Sequence, residues 1–120
     1  FCFKTEIEQV IINLLSNSLD AVEFLPDKWI EISCFEKPDS ISIQIEDSGS
    51  GIPDEIANQM MEPFFSTKDK DKGTGMGLYF AKESLRKHGG DLRYVPNRKH
   101  TTFLIEFPKV HLQEWDMVLH

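Results

Sequence analysis

The chain has few cysteines, no long apolar run and no excess of positive charge, and each shortage closes off a class of protein. Two cysteines in 120 residues, Cys2 and Cys34, are too few for a disulfide framework and match no zinc spacing. A reducing intracellular compartment fits them best, and Cys34, on the apolar side of a strand pattern, reads as core. No apolar stretch approaches the roughly 20 residues that a membrane-spanning helix needs, and no signal peptide is visible. A formal net charge of -7 argues against nonspecific binding to nucleic acid or an anionic membrane, since either demands a basic face. Any polyanion must therefore be handled locally, by glycines, helix ends and a metal ion. The four histidines, His88, His100, His111 and His120, show no metal spacing, and there is no internal repeat or low-complexity segment. The start at Phe1-Cys2-Phe3, without an initiator Met, leads to the expectation of a piece from a longer protein. What remains, 40% hydrophobic and 28% charged, is the composition of one soluble globular domain with a single core.

The most informative segment is Lys72-Gly73-Thr74-Gly75-Met76-Gly77-Leu78, followed by a helical pattern over 79–88. Glycines at alternate positions let the backbone approach a bulky anion, and the helix behind them offers unpaired N–H groups and a positive dipole end. The spacing is not a Rossmann fingerprint, because the two-residue gap before the last glycine is missing and no apolar strand leads in. Nor is it a Walker loop, since no Lys-Ser or Lys-Thr follows.

Along the chain, Thr5-Glu6-Ile7-Glu8 reads as a capping box, with Thr5 as N-cap of a helix over 5–24. Ile7, Val10, Ile11, Leu14, Leu15, Ser18 and Val22 form its apolar stripe. Gln9, Asn13, Asn17 and Asp20 form a polar row on a neighbouring face. A solvated face explains Gln9 as well as a functional role does, but two asparagines inside a helix need another reason. Residues 29–35 alternate as a half-buried strand with Ile30, Ile32 and Cys34 inward, and 40–46 repeat the pattern with Ile41, Ile43 and Ile45. An acidic, glycine-rich loop over 47–53 leads to a short helix near Pro53. A mobile charged segment, the glycine loop and its helix follow, the helix ending at a left-handed Gly89. Strands over 91–95 and 101–107 flank the turn 96–99, and 110–120 read as a docked tail or as nothing definite. The order α, β, β, α, α, β, β predicts a two-layer α+β sandwich, with about three helices on one face of a mixed, mostly antiparallel sheet.

Four segments together resemble the catalytic ATP-binding domain of sensor histidine kinases, of the Bergerat fold. The same superfamily includes gyrase-type topoisomerases, heat-shock chaperone ATPases and mismatch-repair ATPases. Residues 8–18, Glu-Gln-Val-Ile-Ile-Asn-Leu-Leu-Ser-Asn-Ser, resemble the N box. Residues 47–53, Asp-Ser-Gly-Ser-Gly-Ile-Pro, resemble the G1 box, Glu62-Pro63-Phe64-Phe65-Ser66-Thr67-Lys68 the F box, and 73–78 the G2 box. They occur in family order across 4–108, and Phe-Phe-Ser-Thr-Lys is similar to the nitrogen-regulation kinases. The resemblance implies that Asn17 gives an amide oxygen to Mg²⁺, with Asn13 one turn earlier near the metal-bound water or the triphosphate. It implies that Asp47 accepts a hydrogen bond from the adenine amino group, although a turn aspartate capping its own loop is the plain alternative. Gly49 and Gly51 would pass under the purine, Thr102 would help hold the adenine end, and Gly73, Thr74, Gly75, Met76, Gly77 and Leu78 would admit phosphate. Lys68 is either a phosphate ligand or a solvated lysine, and at least one of Phe64 and Phe65 is expected to anchor the lid.

In the superfamily's ATPase branches a glutamate stands one turn before the metal-binding asparagine, whereas Asn13 stands there here. An amide is no general base at pH 7, which favours a kinase over a hydrolase. Glu8 lies too far back to substitute. The implied activity is transfer of the γ-phosphate of Mg·ATP to a histidine on a dimerisation domain outside the chain, and from there to the receiver domain of a response regulator. No nucleic acid or direct membrane contact and a cytoplasmic domain are expected. The alternatives are a serine kinase of the anti-sigma type, an ATPase, or a degenerate regulatory module. Three departures from the pattern stand out: Asp20 where many of these kinases carry lysine, His100 in place of a glycine, and a truncated first strand that leaves a sheet edge open.

Overall fold

The computed structural model describes residues 3–57, 59–62 and 77–109. Its elements follow the expected order: α1 (Phe3–Val22), β1 (Ile30–Glu36), β2 (Ser40–Asp47), α2 (Asp54–Ala57), α3 (Gly77–Lys87), β3 (Asp91–Tyr94) and β4 (Thr102–Pro108). The strands lie in the order β1-β2-β4-β3, and every pairing among the described residues is antiparallel rather than mixed. Alternation explains the layering. Ile41, Ile43 and Ile45 of β2 and Phe103, Ile105 and Phe107 of β4 project to one face, where they meet Ile7, Val10 and Leu14 of α1 and Ala81 and Leu85 of α3 in one buried cluster. Ile7, Leu92 and Ile105 are completely buried, so this cluster is where most of the hydrophobic stabilisation lies.

The helix ends show what local sequence can and cannot decide. Gly89 takes φ +78°, and Gly90 N–H reaches back to Leu85 O at 2.9 Å, closing α3 in the expected left-handed cap. The capping box at Thr5, in contrast, is not the start of α1, which already runs from Phe3. Glu8 pairs with Lys4 one turn earlier, at 3.3 Å, inside a helix that already includes Thr5. At its other end α1 stops at Val22, two residues short of expectation, and Phe24 stands 87% exposed.

Cys34 is exposed, not core. It lies on the helix-facing side of β1 with Ile32, as the alternation requires, but β1 is an edge strand. Helix α1 packs over β2 and α3 over β3, so no described element covers that part of the face, and Ile32 is 52% exposed. Periodicity reports which side a residue faces, not whether a layer lies opposite.

Helix α3 is tied to β3 through Lys82, whose Nζ lies 3.0 Å from Asp91 Oδ1 and donates to Leu92 O at 2.8 Å. Partial burial pushes the Asp91 carboxyl up. Hydrogen bonds from Lys82 and the Leu92 N–H, with the charges of Lys82 and Arg86, outweigh that effect and hold it below its ordinary value of 3.8. Glu6 of α1 pairs with His88 just beyond α3, a second clasp between the two long helices.

Candidate nucleotide site

The site begins where β2 ends. Asp47 follows Ile41, Ile43 and Ile45 on the helix-facing side and is only 2% exposed. A carboxylate so placed needs partners, and its Oδ1 accepts the N–H of Gly49 at 2.8 Å. The backbone of Asp47 is fixed too, its N–H donating to Thr101 O at 3.0 Å. Thr101 returns a side-chain contact, its hydroxyl accepting the N–H of Gly51 at 3.1 Å. A Cβ on Gly49 would lie 2.8 Å from both Asp47 Oδ1 and Thr101 Oγ1, so these two polar groups converge where only glycine leaves room.

Thr102, expected at the adenine end, is on the other side of the sheet. It pairs with Glu46, and its hydroxyl donates to His100 O at 3.0 Å and reaches Glu46 Oε2 at 3.5 Å. Thr101 has the helix-facing position instead and was missed. The signal was present: Phe103, Ile105 and Phe107 are the inward residues of β4, and the same parity brings Thr101 inward and Thr102 outward.

The loop over 48–52 is held from outside as well. Ser48 exchanges two hydrogen bonds with Trp29: its N–H donates to Trp29 O at 3.0 Å, and its hydroxyl accepts the Trp29 N–H at 3.2 Å. His100 Nδ1 lies 3.1 Å from Gly49 O; a carbonyl only accepts, so that nitrogen carries the proton. The imidazole meets the Trp29 ring edge-on, with centroids 4.8 Å apart. At the far end of the loop, the N–H of Ile52 donates to the Tyr94 hydroxyl at 2.9 Å, and the Tyr94 ring packs edge-on to Phe103.

The other half of the site is the polar row of α1. Gln9 Nε2 donates to Asn13 Oδ1 at 3.3 Å, and Asn13 Nδ2 reaches across to Gly77 O, the first residue of α3, at 3.5 Å. The row thus faces the start of the glycine-led helix. Asn17, one turn on, is half-buried and makes contacts within the fold. Gly77 is exposed, with no atom of the described residues within 4 Å of where a Cβ would stand. Helix α3 has no acid in its first turn and Arg86 and Lys87 in its last, so its charges leave the N-terminal end favourable to an anion. Leu78 packs against the core rather than facing outward. Lys68, Gly73, Thr74, Gly75 and Met76, like Phe64 and Phe65, lie outside the described residues.

Two constellations therefore share one side of the sheet: a buried acid with a glycine loop, and an amide row facing a helix start. Residues 4–111 match the model of the family described as histidine kinase-, DNA gyrase B-, and HSP90-like ATPase. The chain belongs to that ATPase family. Among its relatives, sporulation kinase A of Bacillus subtilis is 37% identical over 108 residues, covering 88% of this chain and 17% of that protein. An NtrY-like sensor histidine kinase of Rickettsia felis is 34% identical over 116 residues, covering 97% of the chain and 19% of the relative. The chain thus spans less than a fifth of the length of either. Among solved structures, the nucleotide-free catalytic domain of histidine kinase ThkA superposes with a TM-score of 0.78 at 30% identity, covering 90% of this chain and 69% of that one. The two-layer architecture is that of histidine kinase catalytic domains, and ATP binding comes with the family. No helix among the described residues is long and apolar enough to cross a membrane.

Proposed function

We propose that this chain is a single ATP-binding domain that holds Mg·ATP and presents its γ-phosphate to a histidine on a dimerisation domain of the same native protein. The observation that carries this reading is the pairing of buried Asp47, aimed with Thr101 over Gly49, with an amide row that reaches the start of α3. Asp47 provides an acceptor for an exocyclic amino group of a purine. Gly77 and the N-terminal turn of α3 provide N–H groups and open space for phosphate. Gly73, Gly75 and Lys68 extend this phosphate role in the proposal.

The donor set also suits magnesium. No group of three or more His, Cys, Asp or Glu side chains that could hold a metal occurs among the described residues. An Asn oxygen combined with phosphate oxygens and water is the chemistry Mg²⁺ accepts. Asn17 is the residue that would hold it, and when bound the ion would neutralise phosphate charge. Asn13, an amide already engaged by Gln9 and Gly77 O, orients groups but removes no proton from water, so phosphoryl transfer to a partner is favoured over hydrolysis. A response regulator is the further partner proposed. One solved structure holds histidine kinase ThkA together with the response regulator TrrA, and the chain matches that kinase at 27% identity with a TM-score of 0.72. A cytoplasmic location fits these partners.

Incubating the chain with Mg·ATP and the native protein's histidine-bearing helical hairpin tests this. Acid-labile, alkali-stable phosphate on the hairpin is the expected result. Acid-stable phosphate on a serine substrate, or release of inorganic phosphate without transfer, would move the assignment to the serine-kinase or ATPase branch.

A further inference from the structure

The Asp47 carboxylate and the Thr101 hydroxyl are not all that fixes the loop over 48–52. Tyr94, on β3, takes the N–H of Ile52 at 2.9 Å, and His100, just before β4, gives its Nδ1 proton to Gly49 O at 3.1 Å. These bonds span 42 and 51 residues of sequence, and neither involves Asp47. Both side chains are themselves held, Tyr94 by the Phe103 ring and His100 by the Trp29 ring. Between the two anchored ends lie Gly49 and Gly51, the latter at φ +96°, with Ser50 exposed. A stretch with two glycines in four residues has much backbone freedom to lose, and each residue that must be ordered on binding subtracts from affinity. Anchors that order the loop beforehand remove that cost from the binding step.

We propose that Tyr94 and His100 are positioning residues for the nucleotide base, holding the loop through the Ile52 N–H and the Gly49 carbonyl so that Asp47 and Thr101 meet the base in a preset geometry. The inference rests on the nucleotide-binding reading above. It places base-end affinity partly on β3 and on the approach to β4, outside the asparagine and glycine motifs. Because the anchors act on the base end alone, their loss separates ligands that carry a base from those that do not. A purely structural role would weaken both classes alike.

The test compares the wild type, Tyr94→Phe and His100→Ala by calorimetric titration with ADP and with inorganic tripolyphosphate, both with Mg²⁺. Amide exchange is followed in the nucleotide-free chain. Each substitution is expected to weaken ADP by about five- to tenfold, the scale of one lost intramolecular hydrogen bond, and to leave tripolyphosphate within about twofold. In Tyr94→Phe, which keeps the ring on Phe103, the Ile52 amide is expected to exchange faster while the Asp47 amide, bonded to Thr101, is unchanged. ADP affinity unaltered in both variants, equal losses for ADP and tripolyphosphate, or Ile52 exchange no faster without the hydroxyl would each overturn the proposal. A wild type that takes up no ADP defeats the nucleotide reading itself, and this inference with it.

Discussion

The two ends of the proposed site are built differently. At the base end the groups are buried and their bonds short: Asp47 is 2% exposed, and the loop beside it is held at 2.8, 2.9 and 3.1 Å by Asp47, Tyr94 and Thr101. At the proposed phosphate end the contacts are exposed and long, with Asn13 reaching Gly77 O at 3.5 Å and no described atom within 4 Å of a Cβ on Gly77. Buried, short bonds fix a geometry before the ligand arrives, whereas long, solvent-exposed ones contribute little by themselves. The contrast teaches that, in the proposed nucleotide reading, recognition of the base is a property of the folded sheet and the phosphate end depends on what the ligand brings.

The sharpest way to break the contrast is at Asp47. Asp47→Ala removes the charged acceptor for the loop and for the base together and should weaken ADP about a hundredfold or more, read by calorimetry, because hydrogen bonds to charged groups are the strong ones. Next come two glycine substitutions whose effects should diverge. In Gly49→Ala the new methyl meets Asp47 Oδ1 and Thr101 Oγ1 at 2.8 Å, so the fold should lose about 1–3 kcal/mol in denaturant unfolding and ADP should bind about tenfold more weakly. Gly77→Ala meets nothing among the described residues. Its fold should be unchanged or gain up to about 0.5 kcal/mol from helix propensity, while ADP weakens about fivefold through the phosphate end. Asn13→Ala removes two long exposed bonds, at 3.3 Å from Gln9 and at 3.5 Å to Gly77 O, and should change unfolding free energy by no more than about 0.5 kcal/mol.

The smallest effect lies away from the site, in the tie between α3 and β3. Lys82, the Leu92 N–H and Arg86 hold Asp91 below 3.8 in the folded chain, despite the upward push of burial. Its interactions therefore add stability above the unfolded value near 3.8 and lose it as pH falls through the lower folded value. The side chain is 53% exposed, so solvent screening keeps the effect small. Asp91→Asn should flatten the pH dependence of unfolding slightly below pH 4 and leave it unchanged near neutrality.

Much of this architecture was legible in the residues. The alternation of Ile41, Ile43 and Ile45 and the stripe Ile7, Val10 and Leu14 predicted the two faces that meet in the core. Gly89 marked the end of α3, and Asp47 caps its own loop through the Gly49 N–H, the contact that the turn-aspartate alternative anticipated. Three things were not legible as read. Cys34 has the parity of a core residue, but whether a helix lies over an edge strand is decided by the tertiary packing of α1 on β2. Thr102 was named from motif position alone, whereas strand parity, available from Phe103 and Ile105, brings Thr101 to the helix-facing side. The anchors Tyr94 and His100 act across more than forty residues, a distance over which local pattern carries no signal.

The central claim is that the preset base end and the open phosphate end form one Mg·nucleotide site. Calorimetric titration of the chain with ADP, with and without Mg²⁺, tests it most directly. The account predicts saturable binding that Mg²⁺ strengthens and that Asp47→Ala weakens about a hundredfold or more. No binding by the wild type, or binding that neither Mg²⁺ nor the loss of the Asp47 carboxylate alters, would contradict it.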